Sequence, residues 1–422
     1  MSREQANGTR QYARFWRWHF YAAFLVIPFV LWQGTTGVIY LWHEDIADAL
    51  WPQFRKVAPA SETVSLDTQL AAATQAHGGA LPATVQLSAD PGRSTQWVFK
   101  QEGSELSSVS FVDPHTGRLL GTVSADTWLP GLTRKLHGGW PLGKAGSWLL
   151  ELGAGWCIVM VLTGVYLWWP RQARGLAGVL YPRLRAGSRI FWRDLHSVVG
   201  LWFAGIFLVF LFTALPWTDF WGNQVLKPFQ RATGQTAPKG LGFGHEGHNH
   251  AHDGMIMPLS LQTAFESARA EGVDGDLEIT VKPGNGPLVF TSKRNRAASE
   301  RVLQIDRSSG AVLTRVGWNN FPFIPKVVAT GVDLHEGTFF GRANQVFNTL
   351  TVTAFFWLIF TGLIGWYRRR PGKGLGAPPR PLIVWPRWVK VSAIGLCLFL
   401  PLLGMSVLLL WIVDRAQAKL VA

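Results

Sequence analysis

Five apolar stretches, near Phe20–Trp42, Ser147–Trp169, Val198–Trp217, Gln345–Tyr367 and Val389–Val413, constrain this chain more than any other feature. Each is long enough to cross a hydrocarbon core of roughly 30 Å, which takes ~20 helical residues. Trp or Tyr stands at several of their ends (Trp16, Trp18, Trp42, Trp168, Trp169, Trp217, Trp366, Tyr367, Trp388, Trp411), as an interfacial belt requires. Apolar residues make up 48% of the chain and charged ones 16%. Five such runs flanked by arginines have no place in a soluble globule.

Charge sets the expected orientation. Arg3, Arg10, Arg14 and Arg17 precede the first run, and Arg171, Arg174, Arg183, Arg185, Arg189 and Arg193 lie between the second and third. Arg368, Arg369, Arg370, Lys373, Arg380, Arg387 and Lys390 lie between the fourth and fifth. By the positive-inside rule these segments are cytoplasmic, and the chain crosses out, in, out, in, out. The net charge of +14 therefore reports topology. A nucleic-acid-binding face is excluded, because the cations are confined to short loops beside apolar runs. The first run is too long for a signal sequence, contains Gln33 and lacks a small-residue cleavage pattern before His43, so it is expected to be retained. Cys157 and Cys397 both fall inside spans and read as small packing residues rather than a disulfide.

The expected fold is a mostly α membrane protein with five transmembrane helices, a tandem two-fold repeat plus an extra C-terminal helix. Its segments are a cytoplasmic N-terminus with the first span (1–42), an outer domain (43–136), the second span (137–170), an Arg-rich loop (171–195) and the third span (196–217). A second outer domain (218–334), the fourth span (335–367), a basic loop (368–388) and the fifth span with the C-terminus (389–422) follow.

Four histidines repeat within this frame. His19 precedes Thr36-Gly37 by 17 residues and His196 precedes Thr213 by 17; His137 precedes Thr163-Gly164 by 26 and His335 precedes Thr361-Gly362 by 26. An imidazole at a membrane helix end is costly unless it has a task. Taken singly, each reads as an interfacial side chain that snorkels; the repeated spacing outweighs that reading. His19 and His196 begin outward spans and can face each other at the cytoplasmic surface, as His137 and His335 can at the outer one. Two such pairs suggest two metal centres, haems first among them, since paired neutral imidazoles fill both axial positions and favour electron transfer over oxygen binding. His137 and His335 also share an H-x-G-x-x-x-G pattern whose glycines would admit a flat macrocycle.

The outer segments repeat as well. Each opens with a helix-like stretch, Ser65–Leu70 or Ser260–Phe265, then alternates as strands do. Each closes on an Asp followed four residues later by Gly, Asp113–Gly117 and Asp306–Gly310, a hairpin signal. Both copies run in the same direction, so an axis along the membrane normal should relate them.

Val112-Asp113-Pro114-His115-Thr116-Gly117 resembles the signature turn of PepSY domains. Leu136-His137, Gly164–Arg171 and Leu195–Trp202 resemble the PepSY-associated transmembrane family, and the resemblance covers nearly the whole chain except the fifth span. It implies α+β PepSY-like domains in the periplasm, a bacterial inner-membrane location, two b-type haems and reduction of ferric siderophores. The sequence departs from the pattern at Thr213-Ala214, and the second turn lacks the Pro and Thr. Arg14, Arg17 and Arg193 inside, with Arg134, Lys135 and Arg342 outside, are expected partners for haem propionates. His43, which has no counterpart in the second half, is an interfacial residue, a replacement ligand or a substrate contact.

His245, His248, His250 and His252, in the stretch 245–257, can chelate a divalent transition metal. No nucleotide- or flavin-binding fingerprint appears, so electrons would come from a separate cytoplasmic reductase, free reduced flavin or membrane quinol. Two alternatives remain: a non-redox PepSY binding or regulatory protein, and a periplasmic metal-capture transporter using the His-rich stretch. The transporter is disfavoured on the expectation that the spans carry no acid to compensate a divalent charge.

Overall fold

The computed structural model describes residues 3–421 apart from 101–106, 125–126, 171–174, 238–259, 282–285, 294–300, 308, 371, 373, 380 and 382–384. In the first half, α1 (Arg3–Leu41), α2 (His43–Leu50), α3 (Pro52–Arg55) and α4 (Leu66–Gln75) lead into β1 (Thr84–Leu87), β2 (Thr95–Lys100), β3 (Ser107–Val112) and β4 (Leu119–Val123). Next come α5 (Leu129–His137), α6 (Gly143–Trp168) and α7 (Ser188–Ala214). The second half adds α8 (Lys227–Ala232), α9 (Leu261–Ala270), β5 (Asp276–Thr280), β6 (Leu288–Lys293), β7 (Arg301–Ile305) and β8 (Val312–Gly317). It ends with α10 (Phe323–Glu336), α11 (Arg342–Arg369), α12 (Arg387–Phe399) and α13 (Pro401–Val421). The chain divides into two compact units: Met1–Val38, His137–Pro228 and Val346–Ala422 form one, Ile39–Leu136 and Phe229–Gln345 the other.

The first unit is a helical bundle. Gly8–Leu41 of α1, with α6, α7 and its extension to Trp217, and α11, are long and apolar enough to cross a membrane. Val26 and Val30 of α1 pack with Ala154, Cys157 and Ile158 of α6 and Leu211 of α7. Small residues allow the approach: a Cβ on Gly153 would lie 2.4 Å from the Phe29 ring. The fifth apolar stretch is broken rather than continuous. Pro401 has no N–H to donate to the Cys397 carbonyl, so α12 stops after 13 residues, ~20 Å, and α13 starts anew. Leu400 and Leu403, at that break, are buried in the bundle core. Indole N–H groups tie the basic loops down: Trp168 donates to the Val179 carbonyl (2.9 Å) and Trp366 to Leu375 (2.8 Å).

The second unit differs from the two separate outer domains that the sequence suggests. Both outer segments join one antiparallel sheet of order β4-β3-β2-β1-β5-β6-β7-β8. The joint is β1 against β5, with Val85 opposite Ile279. Val85, Trp97, Phe99 and Val112 from the first repeat share a buried core with Leu261, Ile279, Phe290 and Ile305 from the second. Each four-stranded half also carries a helix of its own, α4 on the first and α9 on the second. The helices interlock above the joint. Ser65 caps α4 by accepting from the Thr68 amide, and Ser260 caps α9 by accepting from Thr263. Asp67 of α4 accepts from the Ser260 hydroxyl and the Leu261 amide, while the Leu66 amide donates to the Gln262 side chain (2.9 Å). Both expected hairpin turns are present, Gly117 and Gly310 at φ of +72° and +71° returning their amides to the Asp113 and Asp306 carbonyls.

Candidate functional site

His19, midway along α1, and His196, on the third turn of α7, meet in the bundle. Their ring centres are 6.3 Å apart and their planes are perpendicular, 89°. Each ring is held from outside by a neighbouring span. His19 Nδ1 lies 3.0 Å from the Met160 carbonyl and 3.1 Å from the Thr163 hydroxyl. His196 Nδ1 lies 3.1 Å from both the Leu358 carbonyl and the Thr361 hydroxyl. A carbonyl can only accept, so Nδ1 carries the proton in both neutral rings and Nε2 presents a lone pair. The threonines reinforce that choice. Thr163 and Thr361 donate their own protons to the Val159 and Trp357 carbonyls, both at 2.8 Å, which leaves their oxygens to accept.

The glycines that follow make room. A Cβ on Gly164 would stand 3.2 Å from His19 Cε1, and one on Gly362 3.3 Å from His196 Cε1. Thr163-Gly164 and Thr361-Gly362 thus form the same seat twice: hydroxyl and carbonyl hold Nδ1, and a missing side chain admits the ring. The sequence revealed these pairs as spacing markers, but not that each seats the histidine of a different helix.

His137, the last residue of α5, has an equivalent seat on α1. Its Nδ1 is 3.0 Å from the Thr36 hydroxyl, which donates to the Trp32 carbonyl, and a Cβ on Gly37 would lie 3.0 Å from its Cε1. Gln33 donates to the His137 carbonyl at 3.0 Å, giving that polar residue a purpose inside the span. His335 belongs to the other unit, in the last turn of α10, which Gly337 ends in a left-handed conformation at φ +76°.

With three of four predicted histidines on the same kind of seat, the chain's kinship is decided at the level of the whole transmembrane repeat: residues 16–369 match the family model of the PepSY-associated TM region. The chain belongs to that family. No curated protein matches it.

Several cations of this PepSY-associated membrane protein have partners of their own. Arg193 donates to Asp194 (2.8 Å), as does Arg183 (2.7 Å). Asp194, fully buried two residues before His196, anchors that arginine-rich loop to the start of α7. Arg17 donates to the Pro378 carbonyl at 2.7 Å, and Arg342 forms a two-pronged pair with Asp45. Arg14 and Arg134 lie on α1 and α5. His43 stacks on Tyr40, ring centres 4.7 Å apart, with Nδ1 donating to the Tyr40 carbonyl and Nε2 3.2 Å from Glu44. His115 donates to the Glu62 and Pro91 carbonyls, whose pull raises its pKa above the usual imidazole value and marks it as a loop tie. His245, His248, His250 and His252 lie outside the described residues. A further expectation fails: the spans are not free of acid, because Glu151 lies within α6.

Proposed function

We propose that this PepSY-associated membrane protein carries electrons through two b-type haems to a ferric siderophore, or another ferric complex, on the periplasmic side of a bacterial inner membrane, releasing ferrous iron. The N-terminus and basic loops would be cytoplasmic. The observation that carries the reading is the His19–His196 pair. Imidazole–metal bonds of about 2 Å, placed end to end, put two ring centres roughly 6 Å apart, and the rings stand at 6.3 Å. Nδ1 anchoring to carbonyl and hydroxyl is the outer-sphere arrangement that fixes a metal-binding imidazole. The residues therefore fit the group. His137 shares the hydroxyl contact of that pattern, and the repeat assigns His335 as its counterpart. Haem held by paired imidazoles supplies one-electron transfer.

The chain's own part is to hold neutral imidazoles in one tautomer and to keep water from the apolar bundle. Hard oxygen donors hold ferric far better than ferrous iron, so reduction outside the membrane would loosen a siderophore's grip. The donor would be a cytoplasmic reductase, free reduced flavin or quinol. A redox-difference spectrum with haem-to-protein ratio is the test. Two haems per chain are expected, falling to one in His196→Ala and in His335→Ala. Colourless protein from haem-replete cells would end the proposal and favour a binding or regulatory role. Divalent-metal flux without reductant would favour the transporter, whose chief objection Glu151 removes.

A further inference from the structure

Glu151 takes no part in the imidazole pair, standing nine residues before Met160 on α6, ~13 Å along the axis. It is 3% exposed. Oε2 accepts the Trp221 amide at 2.9 Å, whereas Oε1 is buried without a hydrogen-bond partner. Among the described residues, the one charged group acting on it is Asp219, of the same sign. A carboxylate placed at membrane depth with no cation is among the costliest arrangements a protein can keep, and such residues mark ion or proton sites.

The backbone facing it is irregular too. A 3-10 turn, Leu215–Trp217, is followed by a π-helical turn, Trp221–Leu226, and a Cβ on Gly222 would lie 2.6 Å from the Pro216 carbonyl. Turns of this kind cost stability and recur where a helix has a task. The π turn is pinned by the Trp221 indole, which donates to the Phe399 carbonyl at 2.8 Å. Polar groups gather between the N-terminal turns of α6 and the carboxyl. The Asp219 amide donates to Ser147 Oγ (2.9 Å), and Asp219 accepts from the Trp148 indole (3.0 Å) and the Asn223 amide (3.2 Å). The Thr218 hydroxyl borders Glu151 itself.

We infer that Glu151 is a proton-binding site, its buried Oε1 gaining and losing a proton exchanged with solvent past the neighbouring Asp219 and Thr218. An O–H bond forms or breaks and no electron moves, so the inference stands whatever the imidazoles hold. Two carboxylates and a hydroxyl could instead take an alkali cation, and the test separates the two. The full chain in liposomes is treated with a hydrophobic carbodiimide, which reacts with a protonated carboxyl from within the lipid, and the adduct is located by peptide mass spectrometry. An adduct on Glu151 is expected, absent in Glu151→Gln, falling about tenfold per pH unit once deprotonation sets in and indifferent to sodium or potassium. Asp219, bonded at both oxygens, serves as the internal reference. No adduct at any pH overturns the inference; so does protection by either alkali ion at constant pH.

Discussion

A threonine and a glycine in sequence do for His19, His137 and His196 what neither does alone. The hydroxyl passes its proton to its own helix and accepts the imidazole proton, and the glycine lets the ring close to within van der Waals reach. Thr163→Val keeps the shape and removes the acceptor. Loss of such an outer-sphere partner typically costs 10–100-fold in metal affinity, so if the proposed haems are held there, a drop of that order in haem retention at the His19–His196 site is expected, with the proposed second site unaffected. Full retention would show that the carbonyl of Met160 suffices. The histidines were legible because four of them repeat at fixed offsets from Thr-Gly. The seats were not, because the offset joins residues on the same chain stretch while the contact joins different helices. Glu151 is illegible for the opposite reason: a single acid between Leu150 and Leu152 has no repeat to announce it.

At the scale of elements, ionic bonds anchor the short helices beneath the sheet. Arg55 of α3, only 2% exposed, donates to Glu44 and Asp48 of α2, and Arg93 before β2 also binds Asp48. Partial burial works against ionisation of Asp48, but the bonds from Arg93 and Arg55 outweigh it and hold its carboxyl below the usual range. A depressed carboxyl stabilises above its unfolded pKa, ~3.9, and that contribution is lost as pH falls through the lower folded value. Limited proteolysis of the α2–α3 region should therefore show constant protection down to about pH 4 and declining protection below it. Decline beginning above pH 5 would assign the anchoring to other groups. Pro401 teaches a related lesson. Hydropathy read Val389–Val413 as one span, since a sliding average does not register a missing N–H.

Over the whole molecule, the repeat was legible and its closure was not. Alternating residues and the Asp-to-Gly turns located the strands, but nothing local to β1 or β5 specified that they pair. That pairing shows only in the buried core that the two repeats share. A chain stopping before α7 would contain His19 and His137 and would leave β1 with an open edge. Such a half should run as dimers or aggregates on size exclusion, and co-expression with the remaining half should restore a single species. A stable monomeric half would contradict the shared core.

Two of the joints connect like with like: β1 meets its own counterpart β5 in antiparallel register, and His19 meets His196. A shorter ancestor could have closed both by associating with an identical copy of itself. Tandem linkage would release such copies from identity. One could acquire Thr213-Ala214 and a histidine-rich insertion while the other kept the older pattern, so two sites that began as duplicates became free to adopt different chemistry.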